Sequence, residues 1–312
     1  MKIHHSLANY HNDRATVVTI GTFDGVHIGH KEILKKLIAT AEKNDLDSVI
    51  LTFFPHPRMV LQNDSNIKLL NTIEEREAIF SKTSLHHLII HPFTTQFSRL
   101  TALEFVRDIL VHKLHAKKII IGYDHRFGRN RNANIDDLKE FGKTYNFEVE
   151  EISAKELDEV TVSSTKIRKA LEEGDIEKAN DYLGYPFMLN GTIVRGKGIG
   201  KTINYPTANL HIEEEYKIIP KNGVYLVQAI LDNKLTYGLM SIGTNPTVGG
   251  TSRTIETFFL DTTSNLYNKK LQIELIIKIR DEEKFHSLEA LQTAIKDDET
   301  FARDYLQKHH AQ

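Results

Sequence analysis

The alternation of apolar and polar positions divides the chain into two parts. In the first, short apolar runs recur: ATVVTIG (15–21), DSVILTFF (47–54), HHLIIHPF (86–93), KKIIIGY (117–123) and FEVEEIS (147–153). They are rich in β-branched residues and several are apolar almost throughout, the pattern of strands buried on both faces of a parallel sheet. Amphipathic helical stretches lie between them. In KEILKKLIATAEK (31–43), Ile33, Leu34, Leu37, Ile38 and Ala41 share one face, and in TALEFVRDILVHKL (101–114) Leu103, Val106, Leu110 and Leu114 do the same. Strand–helix alternation predicts a doubly wound, Rossmann-like α/β domain, with ligands beyond the carboxyl ends of the strands.

Two more helical stretches, STKIRKALEEG (164–174) and DIEKANDYLG (175–184), close this part. The pattern then changes to MLNGTIVRG, GVYLVQAIL, KLTYGLMSIG, TIETFFLD and KLQIELIIKIR, separated by Gly, Pro and Asn with no long helix between. That predicts an antiparallel sheet or small barrel, followed by one amphipathic helix over 287–307. Tyr185-Pro186 is the expected boundary, giving domains 1–184 and 185–312.

Composition fits this division, since 312 residues are enough for two domains. A formal net charge of −2 argues against a general nucleic-acid binder but allows a local basic pocket for a phosphorylated ligand. The absence of cysteine excludes disulfides, thiolate nucleophiles and Cys-ligated metals. There are 16 histidines, but no pair has the HExxH spacing of a zinc hydrolase. With no apolar leader and no stretch long enough to span a bilayer, the expectation is a cytoplasmic protein without a membrane partner.

The richest segment is GTFDGVHIGH (21–30), between the first strand and the first helix. Gly21, Gly25 and Gly29 let a backbone approach a ligand closely, and the helix N-terminus offers free N–H groups to an anion. His27 and His30 can donate to phosphate oxygens, although a glycine turn with surface histidines has the same composition. VSSTKIR (162–168) starts a helix with three hydroxyls, which can cap it. Lys166 and Arg168 in its first turn oppose the helix dipole, as cations do when an anion sits with them. GYDHRFGRNR (122–131) follows the fourth strand and carries Asp124, Arg126, Arg129 and Arg131; a solvated basic loop is the alternative.

In the second part, Gly196, Gly198 and Gly200 precede Lys201 and the segment Pro206-Thr207-Ala208-Asn209. The glycines alone also fit a flexible hairpin. In an extended segment Thr207 and Asn209 point the same way, and two neutral oxygens can complete the shell of a Mg²⁺ held by ATP phosphates. Glu256 lies on a strand with Thr254 and Phe258 on its face; near a primary alcohol its carboxylate can orient or deprotonate it.

These residues carry a resemblance. GTFDGVHIGH, FFPHP (53–57), FSRLTALEFV (97–106), GYDHRFGRNR and VSSTKIR, in that order, resemble the FMN adenylyltransferase module of the bacterial bifunctional riboflavin kinase/FAD synthetase family. GIGKTINYPTANL, NGVYLVQ (222–228), SIGTNPTVGG (241–250), RTIET (253–257) and IRDEEKF (279–285) resemble its riboflavin kinase module. The resemblance implies a six-stranded Greek-key barrel and two MgATP-dependent steps, riboflavin to FMN and FMN to FAD, with no bound redox cofactor. It implies that His27 and His30 contact the ATP phosphates and the transition state, within a nucleotide site containing Gly21, Phe23, Asp24, Gly25 and Gly29. Ser163, Ser164, Thr165 and Arg168 would hold the departing pyrophosphate, and Asp124, Phe127 and Arg129 the flavin. In the kinase module it implies a phosphate loop at Gly196, Gly198, Gly200 and Lys201, and metal–nucleotide contacts from Thr207 and Asn209. Glu256 becomes the catalytic carboxylate and Arg280 a flavin contact. The chain departs from the family at His125, where an aromatic residue is usual, and at Asn204 and Asn268, where glycine is frequent. The competing readings are a non-catalytic flavin or nucleotide sensor on the same scaffold and another HxGH nucleotidyltransferase. Among the latter are class I aminoacyl-tRNA synthetases, which share the His-Ile-Gly-His string but leave the PTAN segment unexplained.

Overall fold

The computed structural model describes residues 1–61, 67–122, 125–152, 162–196, 200, 203–247, 250–262 and 264–309, without the side chains of 245–247 and 250–252. It forms two compact units, Met1–Ser164 and Thr165–Gln312.

The first unit is a six-stranded parallel sheet. Its strands are β1 (Lys2–His4), β2 (Thr16–Ile20), β3 (Asp47–Phe54), β4 (His87–Pro92), β5 (Ala116–Gly122) and β6 (Glu148–Ile152), in the order β1-β4-β3-β2-β5-β6. Its helices are α1 (Ile28–Asn44), the short α2 (Pro57–Leu61), α3 (Ile73–Ser81), α4 (Ala102–Glu104, continued by the π-helical Phe105–Lys113) and α5 (Ile135–Tyr145). Successive strand residues face opposite layers. Val18, Ile20, Val49 and Leu51 pack on Phe105, Val106, Leu110 and Leu138; Val17, Ile50 and Ile120 pack on Leu34, Leu37 and Phe80. This two-sided burial is why the strands read as unbroken apolar runs. The chain moves from β2 to β3 and β4 on one side, then returns to β5 and β6 on the other. The strand order therefore reverses beside β2, and the crevice at the carboxyl end of β2 is the expected ligand edge.

The second unit begins with α6 (Ser164–Glu173), whose first residue lies at the unit boundary, and α7 (Ile176–Leu183). Strands β7 (Met188–Val194), β8 (Ala208–His211), β9 (Gly223–Leu231), β10 (Lys234–Thr247), β11 (Gly250–Phe259) and β12 (Lys270–Asp281) follow, then α8 (Leu288–His309). The strands close an antiparallel barrel in the order β10-β11-β8-β7-β12-β9. Leu189, Tyr225, Val227, Met240, Ile242, Ile273 and Leu275 are fully or almost fully buried. Helix α8 lays Ala302, Ile295, Tyr305 and Leu306 over Leu226, Leu239, Phe258 and Ile277. Helices α6 and α7 bond to the barrel: the Leu171 carbonyl accepts from Lys221 N at 2.9 Å, and the Asn180 amide donates to the Leu275 carbonyl at 2.9 Å.

Candidate functional sites

The first site is built by the turn between β2 and α1. Phe23 (φ 48°), Gly25 (φ 87°) and Val26 (φ 36°) all adopt left-handed backbone. That is ordinary for glycine but strained for phenylalanine and a β-branched valine, and such strain persists only where the surroundings enforce it. The turn delivers His27 as the N-cap of α1, where the His27 side chain makes no capping hydrogen bond and no acidic residue occupies the first turn. The helix N-terminus is thus left open to an anion. The His27 and His30 rings stack with centroids 3.7 Å apart and 18° between planes. Gly29 permits this: a Cβ there would come within 3.3 Å of His27 Nδ1. Both Nδ1 atoms are buried and make no hydrogen bond among the described residues. Burial pushes the His27 imidazole down to about 4, against a weaker opposing pull from Asp24. Burial first, then the neighbouring His27 and Arg76, holds His30 well below the usual histidine range. At neutral pH the site therefore presents two uncharged imidazoles, each with one N–H to donate.

Other residues of the turn face inward. Phe23 is buried against His30 and Phe80. Asp24 is buried, and its Oδ1 accepts from Leu70 N at 2.9 Å and Asn71 N at 3.3 Å. Within the first unit, Ser164 Oγ donates to the Asp24 carbonyl at 2.8 Å. Ser163 is exposed; Thr165 and Arg168 fall in the second unit. After β5, Phe127 is buried against Phe105, its ring stacked near that of His125, and Arg129 is exposed. Asp124 lies outside the described residues. A residue that sequence reasoning missed is Arg76 of α3, buried beside Asp24 with its Nη1 donating to the Thr22 carbonyl at 2.9 Å.

The second site lies on the β8–β11 pairing, where Glu256 is directly opposite Asn209. Thr207 Oγ1 donates to Glu256 Oε2 at 2.9 Å. Ala208 between them is buried, while Thr207 and Asn209 are both half-buried, so the two oxygens share a face as alternation requires. Ile255, Thr257 and Phe259 turn into the barrel, leaving Glu256 on the other face. Gly196 lies against Asn209, where a Cβ would fall 2.3 Å from the amide nitrogen; at Gly200 a Cβ would meet the Tyr205 carbonyl at 2.1 Å. The obstacle at Gly200 is backbone, so only glycine fits there, whereas a side chain at 196 would have to displace the Asn209 amide. Gly198 and Lys201 lie outside the described residues. Arg280 makes a two-pronged pair with the buried Asp298 of α8, both N–O distances 2.9 Å, and packs over the Phe285 ring.

Among the described residues no group of three or more His, Cys, Asp or Glu is placed to hold a metal. The donor set of the second site is instead two neutral oxygens beside one carboxylate. That suits a hard divalent cation completing its shell from phosphates and water.

The sequence model of the FAD synthetase family matches residues 9–166, and that of the riboflavin kinase family matches residues 183–306. A bifunctional riboflavin kinase/FMN adenylyltransferase of Buchnera aphidicola subsp. Schizaphis graminum is 37% identical over 97% of each chain. Proteins of the same description from Listeria monocytogenes and Escherichia coli K12 are each 34% identical. They cover 98% of each chain in the first case, and 93% of this chain and 92% of the relative in the second. Among solved structures, a Streptococcus pneumoniae protein titled a macrolide-efflux protein superposes with a TM-score of 0.87 at 29% identity, over 97% of this chain and 98% of that one.

Proposed function

The chain belongs to the bifunctional riboflavin kinase/FMN adenylyltransferase family, and from that premise we propose which residues carry each of its two reactions. It is an enzyme of flavin cofactor biosynthesis: it phosphorylates riboflavin to FMN and adenylylates FMN to FAD, using ATP with a divalent metal ion. We assign adenylylation to residues 1–184 and phosphorylation to residues 185–312, with Mg²⁺ as the metal. No helix among the described residues is long and apolar enough to cross a membrane. A cytoplasmic location without a nucleic-acid partner is part of the same proposal.

In adenylylation, a phosphate oxygen of FMN attacks the α-phosphorus of ATP and the bond to the leaving pyrophosphate breaks. Such chemistry needs positioning and charge neutralisation rather than a protein nucleophile. His27 and His30 donate to phosphate oxygens at the open end of α1, and Ser163, Ser164, Thr165 and Arg168 receive the pyrophosphate. Asp124, Phe127 and Arg129 contact the flavin. Phe23 and Asp24 serve the nucleotide by shaping the turn.

In phosphorylation, the riboflavin 5′-hydroxyl oxygen attacks the γ-phosphorus, the bond to ADP breaks, and the hydroxyl proton passes to Glu256. Thr207 and Asn209 would hold the metal, which when bound neutralises phosphate charge. The phosphates are assigned to Gly196, Gly198, Gly200 and Lys201. Arg280 acts on the flavin side, anchored by Asp298.

The observation that supports this reading is that each unit has its own polar constellation: stacked histidines at a helix N-terminus in one, a Thr–Glu–Asn cluster across paired strands in the other. Incubation with riboflavin and MgATP, followed by separation of flavins, tests it. FMN and then FAD should appear; nucleotide binding without either product would favour a sensor.

A further inference from the structure

Arg76 is an unusual residue in its position. It lies in the first turn of α3, where a cation opposes the helix dipole. Its side chain is 2% exposed, and burying a guanidinium is costly unless it is well compensated. The start of α3 is fixed around it: Thr72 and Glu75 form a reciprocal capping box, and Arg76 N bonds to the Thr72 carbonyl at 3.1 Å. From there the guanidinium reaches the strained turn after β2. Nη1 donates to the Thr22 carbonyl at 2.9 Å, and Nη2 lies 3.8 Å from Asp24 Oδ1. Thr52 Oγ1 donates to the same Thr22 carbonyl at 3.1 Å.

We propose that Arg76 is a positioning residue for adenylylation, holding the Thr22–Asp24 turn from beneath so that the N-terminus of α1 and the His27–His30 pair stay aimed at the phosphates. This rests on the assignment of adenylylation to the His27–His30 site. Left-handed Phe23 and Val26 would relax toward ordinary backbone if the Thr22 carbonyl and the Asp24 carboxylate were released, and His27 would swing with them. Arg76 also contributes to holding His30 uncharged, behind the larger effects of burial and His27. Its charge thus acts on both the geometry and the protonation of the site without touching substrate.

The test uses Arg76→Met and Arg76→Lys in the full chain, with the barrel's kinase reaction as an internal control. Arg76→Met should lower kcat for FAD formation by on the order of 10²-fold, the scale of a misplacement of about 1 Å. KM for FMN and riboflavin phosphorylation should stay within about twofold, because the flavin contacts and the barrel are unaltered. Arg76→Lys keeps the charge but reaches only one of the two acceptors, and should retain an intermediate kcat. In the Met variant the His30 imidazole, followed by NMR, should titrate at higher pH than in the wild type, whereas in Arg76→Lys, which keeps the charge, it should not; an equal rise in both would report lost burial and overturn the electrostatic part. Wild-type kcat for FAD formation in Arg76→Met overturns the proposal. Should the Met variant fail to fold, wild-type kcat in a folded Arg76→Lys overturns it equally. His27→Ala, assayed alongside, separates the two claims. If it abolishes FAD formation while Arg76→Met does not, only the role of Arg76 falls; if it is fully active, the site assignment itself falls.

Discussion

Thr207 and Glu256 meet across the β8–β11 pairing, the threonine hydroxyl donating its hydrogen to the carboxylate at 2.9 Å. With that hydrogen engaged, the oxygen lone pairs of Thr207 are directed elsewhere, as a metal ligand's must be. Under the proposed assignment, the second carboxylate oxygen of Glu256 is the one that takes up the riboflavin hydroxyl proton.

The first prediction concerns this pair. Glu256→Gln keeps shape but removes charge and basicity, so riboflavin phosphorylation should fall by roughly 10²–10⁴-fold. The lower end is expected, because a loose phosphoryl-transfer transition state needs little help from a base. Thr207→Val should raise KM for MgATP, while Thr207→Ser should restore it. FAD formation from supplied FMN should be unchanged in all three. Near-normal kinase rates in Glu256→Gln at saturating MgATP would contradict the assignment.

A second prediction concerns acid stability. The folded His27 titrates at about 4, below its unfolded value of about 6.5, so the unfolded chain binds the extra proton first. Stability from this group is complete above the unfolded value, declines as pH falls below it, and levels off once pH is under the folded value. Between pH 7 and pH 5 the loss should be about 2 kcal/mol. His27→Gln should show a correspondingly smaller decline in calorimetric stability over that interval. An identical decline in both proteins would show that His27 is not held neutral by burial.

Much of the architecture was legible because its physics is periodic. Strand β3 and strand β9 run where apolar patterning places them, and the barrel follows from short strands without intervening helices. Helix α3 was not legible as an amphipathic stripe, since the side chains it buries include Glu75 and Arg76. Its readable signal was the Thr72–Glu75 capping box. The Thr207–Glu256 contact needed the register of β8 on β11, which no local pattern supplies. Phe23 and Asp24 look continuous with the histidine motif in sequence. A turn with left-handed residues directs them inward, and residue order does not reveal that.

A third prediction separates the two ways of cutting the chain. The proposed catalytic boundary is at 184/185, whereas the compact unit begins at Thr165. Asn180 explains the difference in stability to be expected: its amide donates to the Leu275 carbonyl, and its Oδ1 accepts from Phe187 N at 2.7 Å. A fragment 165–312 should make FMN and no FAD. A fragment 185–312 should also make FMN but unfold at lower denaturant, and in the longer fragment Asn180→Ala should cost about 1–3 kcal/mol for the hydrogen-bonding groups left unpaired. Equal stability of the two fragments would mean that α6 and α7 do not support the barrel, and FAD from either would contradict the assignment of halves.

The central claim is that two separate constellations carry two separable reactions. The most direct measurement is the time course of FMN and FAD formed from riboflavin and MgATP by a His27→Ala/His30→Ala variant, beside the wild type. FMN should accumulate at the wild-type rate, while FAD formation drops by on the order of 10²-fold or more, as for loss of transition-state hydrogen-bond donors. FAD appearing at the wild-type rate, or both products falling together, would contradict the account.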